Sequence, residues 1–200
     1  MAHSHFALSI ETIPSNEPIS TAEAKAHLRV DISDDDTLID RLVKAARQRL
    51  EADTGQVLIT QVWNMYLDCF PSSNYQPIKV LNPPLVSIDS ITYVDGNGDV
   101  QTWDSSEYRV DTKSMPARIT PASGYSWPSI SNVTNAITIQ FTAGYGDDGS
   151  DVLEDLRQAM LMLIGHWYEN RESVVIGTIT APVPQAYEWL ISNHVFKEVC

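Results

Sequence analysis

Residues 151–170, DVLEDLRQAMLMLIGHWYEN, are the stretch that most constrains how this chain folds. Val152, Leu156, Met160, Leu163 and Trp167 recur at helical spacing. The pattern predicts a helix about 30 Å long. Further apolar residues widen its apolar surface beyond one stripe; these are Leu153, Leu161, Met162 and Ile164. We therefore expect this helix to be covered from several sides, by the rest of the chain and by another copy or a partner.

Composition narrows the class of protein. A chain of 200 residues with 43% hydrophobic content suits one globular domain, or one domain that carries an inserted layer. The net charge of -13 argues against a protein that grips nucleic acid, because neutralising phosphates requires clustered Lys and Arg. Only Cys69 and Cys200 are present, so no disulfide framework is predicted. No apolar run approaches the length of a membrane span, and we expect no membrane association.

Two helices are predicted near the amino terminus. Ser20 and Glu23 form a capping-box pattern that begins a short helix over residues 21–30. The acidic residues 34–36 begin a second helix, which Gly55 is placed to end in a left-handed conformation. Its predicted apolar stripe consists of Leu38, Leu42, Ala45, Ala46 and Leu50. The pattern is typical of an amphipathic helical hairpin.

The periodicity changes to alternation after Gln56, which predicts strands. The candidate strands are 57–70, 78–81, 85–94, 100–103, 108–110, 117–119 and 136–142. We predict an α+β fold in which helices from both chain ends form a bundle around an inserted antiparallel β-sandwich or open barrel. The predicted organisation is an arm at 1–17, a helical core at 18–55 and 150–200 with a C-terminal docking segment, and a β-rich subdomain at 56–149.

The region after the apolar helix is predicted to dock on another molecule. Residues 171–184 are apolar and β-branched but interrupted by glycine and proline, which favours pairing with a strand edge or a neighbour's groove. Residues 185–199 predict a short helix with aromatic anchors. The candidate docking residues are Val174, Val175, Ile176, Ile179, Tyr187, Trp189 and Phe196. Deleting residues 174–200 is expected to leave a folded but unattached protein.

Motifs that resemble chemical sites are better explained as turns. Gly144, Gly146 and Gly149 match a G-x-G-x-x-G pattern, yet Asp147 and Asp148 put carboxylates where a pyrophosphate needs positive potential. The acidic turn 95–99 lacks the glycine and the glutamate of a calcium loop. His166 and Glu169 lie one helical turn apart without further metal ligands. We predict no catalytic, cofactor or metal site, and no enzymatic activity.

One basic cluster stands out in this acidic chain. Arg41, Lys44, Arg47 and Arg49 follow one another along the second predicted helix. They are interpreted either as a solvated helix face or as partners for acids of a neighbouring subunit. The candidate inter-subunit residues are Arg41, Lys44, Arg47, Met160 and Trp167.

Several segments taken together resemble a known family. These are PISTAEAKAHLRVD at 18–31, ADTGQVLITQVW at 52–63, SIDSITYVDGNGDVQTWDSSEYRVD at 87–111, ARITPASGYSWP at 117–128, ITIQFTAGYGDD at 137–148 and QAMLMLIGHWYENRESV at 158–174. In this order they resemble the head-to-tail connector, or adaptor, proteins of tailed bacteriophages and gene transfer particles. The resemblance extends over residues 17–175.

The resemblance implies a non-enzymatic virion protein at the junction of capsid and tail, assembled in the host cytoplasm. It implies a homo-oligomeric ring, typically a dodecamer, beneath the portal protein and next to a tail-side neck or stopper protein. DNA would pass through the ring without specific binding. Two alternatives remain at this point. One is another neck or tail-completion protein, and the other is an enzyme or carbohydrate-binding module that uses the loop 120–135, where Tyr125 and Trp127 could stack on a sugar ring.

Overall fold

The computed structural model describes residues 6–170 and 185–196. It divides into two compact units. The sheet unit comprises Met1–Pro14 and Thr60–Gly144, and the helical unit comprises Ser15–Ile59 and Tyr145–Cys200. The predicted α+β class is confirmed by the helices and antiparallel sheets of these units.

The helical unit contains four α-helices in the described residues: α1 (Thr21–Leu28), α2 (Asp36–Thr54), α3 (Glu154–Glu169) and α4 (Gln185–Ile191). The predicted capping box is confirmed, because Ser20 accepts from the Glu23 amide and the Glu23 carboxylate accepts from the Ser20 amide at 2.9 Å. The predicted left-handed stop at Gly55 is also confirmed, with φ at 68°. Local capping chemistry therefore sets these helix ends.

The buried face of α2 differs from the predicted stripe. Ile39, Val43, Ala46 and Leu50 are the buried apolar residues, whereas Leu38 and Leu42 are only half-buried. Both sets have helical spacing, so periodicity alone left the orientation open. The packing partners decide the orientation, since α2 contacts α1 and α3.

Helix α3 is the centre of the helical unit. Its buried residues are Leu156, Ala159, Met160, Leu163 and Ile164, and it contacts α1, α2 and α4. The helix begins at Glu154 because Gly149–Asp151 forms a 3-10 turn instead of the predicted first helical turn. Helices from both ends of the chain therefore cover much of the apolar surface of α3 that was predicted to be buried.

Helix α4 belongs to that core. Tyr187 and Ile191 are buried in the same cluster as α3. Deleting residues 174–200 would remove these two side chains and expose the core surface that they cover, so we now expect the deletion to destabilise the helical unit as well as to prevent attachment.

The described part of the sheet unit has eight strands: β1 (Phe6–Thr12), β2 (Gln61–Leu67), β3 (Ile78–Val80), β4 (Leu85–Val94), β5 (Val100–Thr102), β6 (Tyr108–Asp111), β7 (Ala117–Pro121) and β8 (Ile137–Ala143). One sheet has the order β1-β2-β8-β4-β5, and the other has the order β3-β7-β6. All pairings are antiparallel. Ile137, Ile139, Phe141 and Ala143 alternate along β8 toward the buried face.

Two parts of the chain depart from the predicted strands. Residues 6–12 were predicted to be part of an arm, but they form the edge strand β1, with Leu8 opposite Met65 of β2. Residues 57–59 were predicted to begin the first strand, but Leu58 and Ile59 are buried in the core of the helical unit. Leu58 and Ile59 thus pack in the core of the helical unit, although the alternating pattern assigned them to a strand.

No helix of the described ranges is both long and apolar enough to cross a membrane.

Two leucines at the start of α3 test whether this helix is held by its own chain. Leu156 is fully buried, whereas Leu153 is 43% exposed. Leu156→Ala should lower the free energy of unfolding by about 2–5 kcal/mol through lost burial and a cavity. The control Leu153→Ala should change it by less than about 0.5 kcal/mol. Urea unfolding followed by far-ultraviolet circular dichroism measures both, and equal effects would contradict the packing described above.

Candidate interaction surfaces

The basic cluster of α2 separates into exposed and buried members. Arg41 and Lys44 are exposed, and neither forms an ion pair with any residue that the structure describes. Arg47 is buried, with its Nε donating to Glu17 at 2.7 Å and its Nη1 donating to Glu51 at 2.8 Å. Arg41 and Lys44 are therefore available to a neighbouring subunit, whereas Arg47 links Glu17 of the amino-terminal segment to α2 of the same chain.

The Arg47 cluster joins the amino-terminal segment to α2. Burial alone lowers the pKa of Arg47, but the hydrogen bond to Glu17 and the charges of Glu51 and Glu17 raise it above the ordinary value. Glu51 also accepts the amide of Leu58 at 3.1 Å. The Arg47 guanidinium and the carboxylates of Glu17 and Glu51 are paired with one another, so burying them costs less free energy than burying an unpaired charge.

Lys44 lines a groove of about 660 Å³ in the helical unit. Arg157 of α3 crosses this groove, donating to the Pro18 carbonyl at 3.2 Å and pairing with Glu23 and Glu154. Gly149 lies so close to Pro18 that an added Cβ would be 2.4 Å from the Pro18 oxygen. These contacts fix the chain between Glu17 and α1, so most charges of the groove are already used within the chain.

The candidate residues on α3 are less accessible than the sequence indicated. Met160 is fully buried in the helical core, so its side chain is not presented to a neighbour. Trp167 is half-buried beside that core and keeps part of its surface open. The sequence pattern identified both as apolar, but only packing separates the covered side chain from the accessible one.

Helix α4 presents its aromatic residues in opposite ways. The Tyr187 hydroxyl donates to Asp53 at 2.7 Å, and burial together with this acceptor raises the pKa of Tyr187. Trp189 is 74% exposed, although α4 is held to the core by its other face. Phe196 is half-buried and lies 3.6 Å from the position of a Cβ on Gly55. Val174, Val175, Ile176 and Ile179 lie outside the described residues.

The loop proposed for stacking on a sugar is partly occupied by its own chain. The Trp127 ring stacks on Phe70 with centroids 5.2 Å apart, and its Nε1 donates to the Ser73 carbonyl at 3.1 Å. Phe70 and Trp127 also contact Trp103. Tyr125 remains exposed. The aromatic surface of Trp127 therefore serves the core of the sheet unit.

The motifs interpreted as turns have the geometry of turns. Asp151 fills the space beside Gly146, and its carboxylate accepts the Asp148 amide at 3.1 Å. The Asp95 carboxylate accepts the amide of Asn97 at 2.8 Å, which closes a hairpin turn and lowers the pKa of Asp95. Among the residues that the structure describes, no group of three His, Cys, Asp or Glu side chains is arranged to hold a metal ion.

A match to a family model shows which family the chain belongs to. Residues 17–195 match the model of the head completion protein family. The chain belongs to the head completion protein family. This membership confirms the resemblance to head-to-tail connector proteins that the sequence segments indicated. The family name indicates a structural role in completing the head.

Solved structures share this fold. The chain is similar to a chain from the neck of an empty gene transfer agent (GTA) particle computed with C6 symmetry, with 23% identity, a TM-score of 0.79 and 97% of both chains covered. A chain from the neck of a native GTA particle computed with C12 symmetry gives 23% identity, a TM-score of 0.76 and 97% of both chains.

A third similar structure comes from the virion of a native GTA particle. It gives 22% identity and a TM-score of 0.77, with 96% of this chain and 97% of that chain covered. At these identities the likeness shows the fold alone. A comparison with curated proteins found no match.

Two arginines of α2 test the division between buried and exposed cations of this head completion protein. Arg47→Ala should lower the free energy of unfolding by about 2–4 kcal/mol, because Glu17 and Glu51 lose their partner in a mostly buried site. The control Arg41→Ala removes an exposed charge and should change it by less than about 0.5 kcal/mol. Thermal or urea unfolding measures both, and a loss of stability on Arg41→Ala alone would reverse the assignment.

Proposed function

We propose that this chain is a structural protein of the virion that forms a homo-oligomeric ring beneath the portal and joins the capsid to the tail. The observation that carries the proposal is the match of residues 17–195 to the head completion protein family. The similar chains from GTA necks computed with C6 and C12 symmetry support a cyclic arrangement. On this proposal the chain has no catalytic role, and its partners are the portal protein and a tail-side neck or stopper protein.

The charge of the chain suits a passage for DNA. A net charge of -13 on every copy repels phosphates, so a ring of such copies would let DNA move without specific binding. The negative charge is divided unequally between the two units. In the described part of the helical unit, 16 carboxylates outnumber 7 Lys and Arg residues, which leaves a net charge of 7 − 16 = −9.

Trp189 is the docking residue that the structure supports most directly. A large aromatic side chain that is 74% exposed on a helix anchored by Tyr187 and Ile191 is preorganised for burial in a partner's pocket. We propose that Trp189 contacts the portal or the tail-side neck protein, together with the neighbouring segment that carries Val174, Val175, Ile176 and Ile179.

Exposed cations supply a second kind of contact. Arg41 and Lys44 lie on the solvent side of α2 and have no ion pair with a described residue. The surface of every copy is acidic, so these two cations are natural partners for carboxylates of a neighbouring subunit. Trp167 offers part of its ring for the same interface. Met160 and Arg47 support it only through the core of their own subunit.

Replacing Trp189 tests the docking proposal without disturbing the core. Trp189→Ala should weaken co-purification with the portal or tail-side neck protein about tenfold or more, because a buried aromatic anchor dominates such interfaces. The melting temperature should not fall, since the side chain is exposed. Tyr125→Ala, an exposed aromatic of the sheet unit, is the control. Unchanged attachment to both partners would remove Trp189 from the proposed interface.

Charge reversal tests the cations of α2. Arg41→Glu combined with Lys44→Glu should lower the number of copies found in particle necks about tenfold while leaving the fold intact. Gln48→Glu adds a negative charge to the same exposed side of α2 without removing a cation, and it should have a much smaller effect. Normal neck occupancy for the double variant would show that Arg41 and Lys44 are only solvated and form no contact with a neighbouring subunit.

A further inference from the structure

The cations of the sheet unit are concentrated on its smaller sheet. All four lysines and arginines of this unit lie in β3, β6, β7 or the connection between β6 and β7; they are Lys79, Arg109, Lys113 and Arg118. Of the eight carboxylates in the unit, only Asp111 lies within these three strands. A positive face in a chain of net charge -13 needs an explanation.

Strand register places Lys79, Arg109 and Arg118 on one face of the smaller sheet. Lys79 is opposite Arg118, and Arg118 is opposite Asp111. The alternate residues Ile78, Val80, Ala117 and Ile119 are buried, so the charged residues point to the outer face. Arg118 pairs with Asp111 at 2.6 Å, whereas Lys79, Arg109 and Lys113 form no ion pair with any described residue. The outer face therefore keeps a net positive charge.

A pocket of about 380 Å³ opens on this face. Its walls are Tyr75, Pro77, Arg109, Val110, Asp111, Arg118 and Thr120. The Tyr75 side chain is 97% exposed. Arg118 already donates to Asp111 through Nε and Nη2, so Arg109 is the guanidinium of the pocket that forms no ion pair with a described residue. Guanidinium groups bind carboxylates through paired donors, and the aromatic ring and proline offer an apolar contact beside them. The cationic face is thus suited to a short segment in which carboxylates flank an aliphatic side chain.

The turn between α1 and α2 is a segment of that kind. Asp31, Ile32, Ser33 and Asp34 are all exposed, and Ile32 is 60% exposed. The end of the turn is fixed, because Asp36 pairs with Lys25 at 2.6 Å and Asp35 accepts the Tyr168 hydroxyl at 2.6 Å. Asp31 and Asp34 have no hydrogen-bond partner among the described residues. The acidic turn therefore presents two carboxylates and an aliphatic group in a fixed setting.

We infer that the acidic turn at residues 31–34 of one copy docks on the cationic face of the sheet unit in a second copy. This inference rests on the proposed ring, for which it names a subunit contact. The two surfaces differ, so the contact is heterologous, and repeated contacts of this type close into a ring when the rotation fits. The acidic turn supplies the Asp31 and Asp34 carboxylates for the cations and the Ile32 side chain for Tyr75, whereas a phosphate group supplies only the anion.

Disulfide trapping in assembled particles tests the contact. Gln76 is exposed and lies between the pocket residues Tyr75 and Pro77. Ser33→Cys and Gln76→Cys are combined with Cys69→Ser and Cys200→Ser, and particles are assembled in which every copy of this chain carries these substitutions. Mild oxidation should produce a ladder of covalent multimers on a non-reducing gel. Ser33→Cys paired with Asn132→Cys, in the same background, should produce none. Absence of the ladder in necks that contain the protein overturns the contact, whereas absence of the wild-type protein from necks overturns the proposed function itself.

A charge exchange tests the same contact when cysteine variants fail to assemble. Lys79→Glu with Arg109→Glu should reduce neck occupancy about tenfold, and so should Asp31→Arg with Asp34→Arg. All four substitutions in one chain restore complementary charges and should recover most of the occupancy. No recovery overturns the contact. Loss of duplex DNA binding after reversal of the cationic face, with no effect of reversing the acidic turn, would instead identify a nucleic-acid surface and also overturn it.

Discussion

Burial of α3 by helices from both ends of the chain is the interaction on which the helical unit depends. Leu156, Met160 and Leu163 are inaccessible to solvent because α1, α2 and α4 cover different sides of the helix. The chain between α2 and α3 forms most of the sheet unit. The helical core is therefore complete only when segments far apart in the sequence have come together, which makes its stability a property of the whole chain.

Ion pairs organise the surface around this core. Arg47 and Arg157 form ion pairs within the chain. These contacts hold residues 17–23 against α2 and α3. The cations that form no ion pair with a described residue are Arg29 at the end of α1, Arg41 and Lys44 on α2, and Lys79, Arg109 and Lys113 in the small sheet or its β6–β7 connection. In the proposed ring of acidic copies, such unpaired cations are the positions where attraction can overcome the mutual repulsion of the copies.

Local signals were predictable from the sequence, and features set by distant contacts were not. The capping box at Ser20 and the left-handed Gly55 depend on a few neighbouring residues, and both were predicted correctly. Strand β1 was missed because FALSIET is exposed on an edge and takes its conformation from β2. Arg47 has Glu51 four residues further along α2, whereas Arg41 has Ala45 at that position, so this part of the difference was visible in the sequence. The second partner of Arg47 is Glu17, thirty residues away, and that contact was not predictable from local sequence. The same limit applied to Met160, whose burial depends on its packing partners.

The central claim is that copies of this chain contact one another in a closed ring between head and tail. An electron cryo-microscopy reconstruction of particles that carry this chain tests it most directly. The account predicts density for several copies of the fold around the axis of the neck, each touching its neighbours and next to the portal. A neck that contains the chain as a single copy, or a particle in which the chain lies away from the head–tail junction, would contradict it.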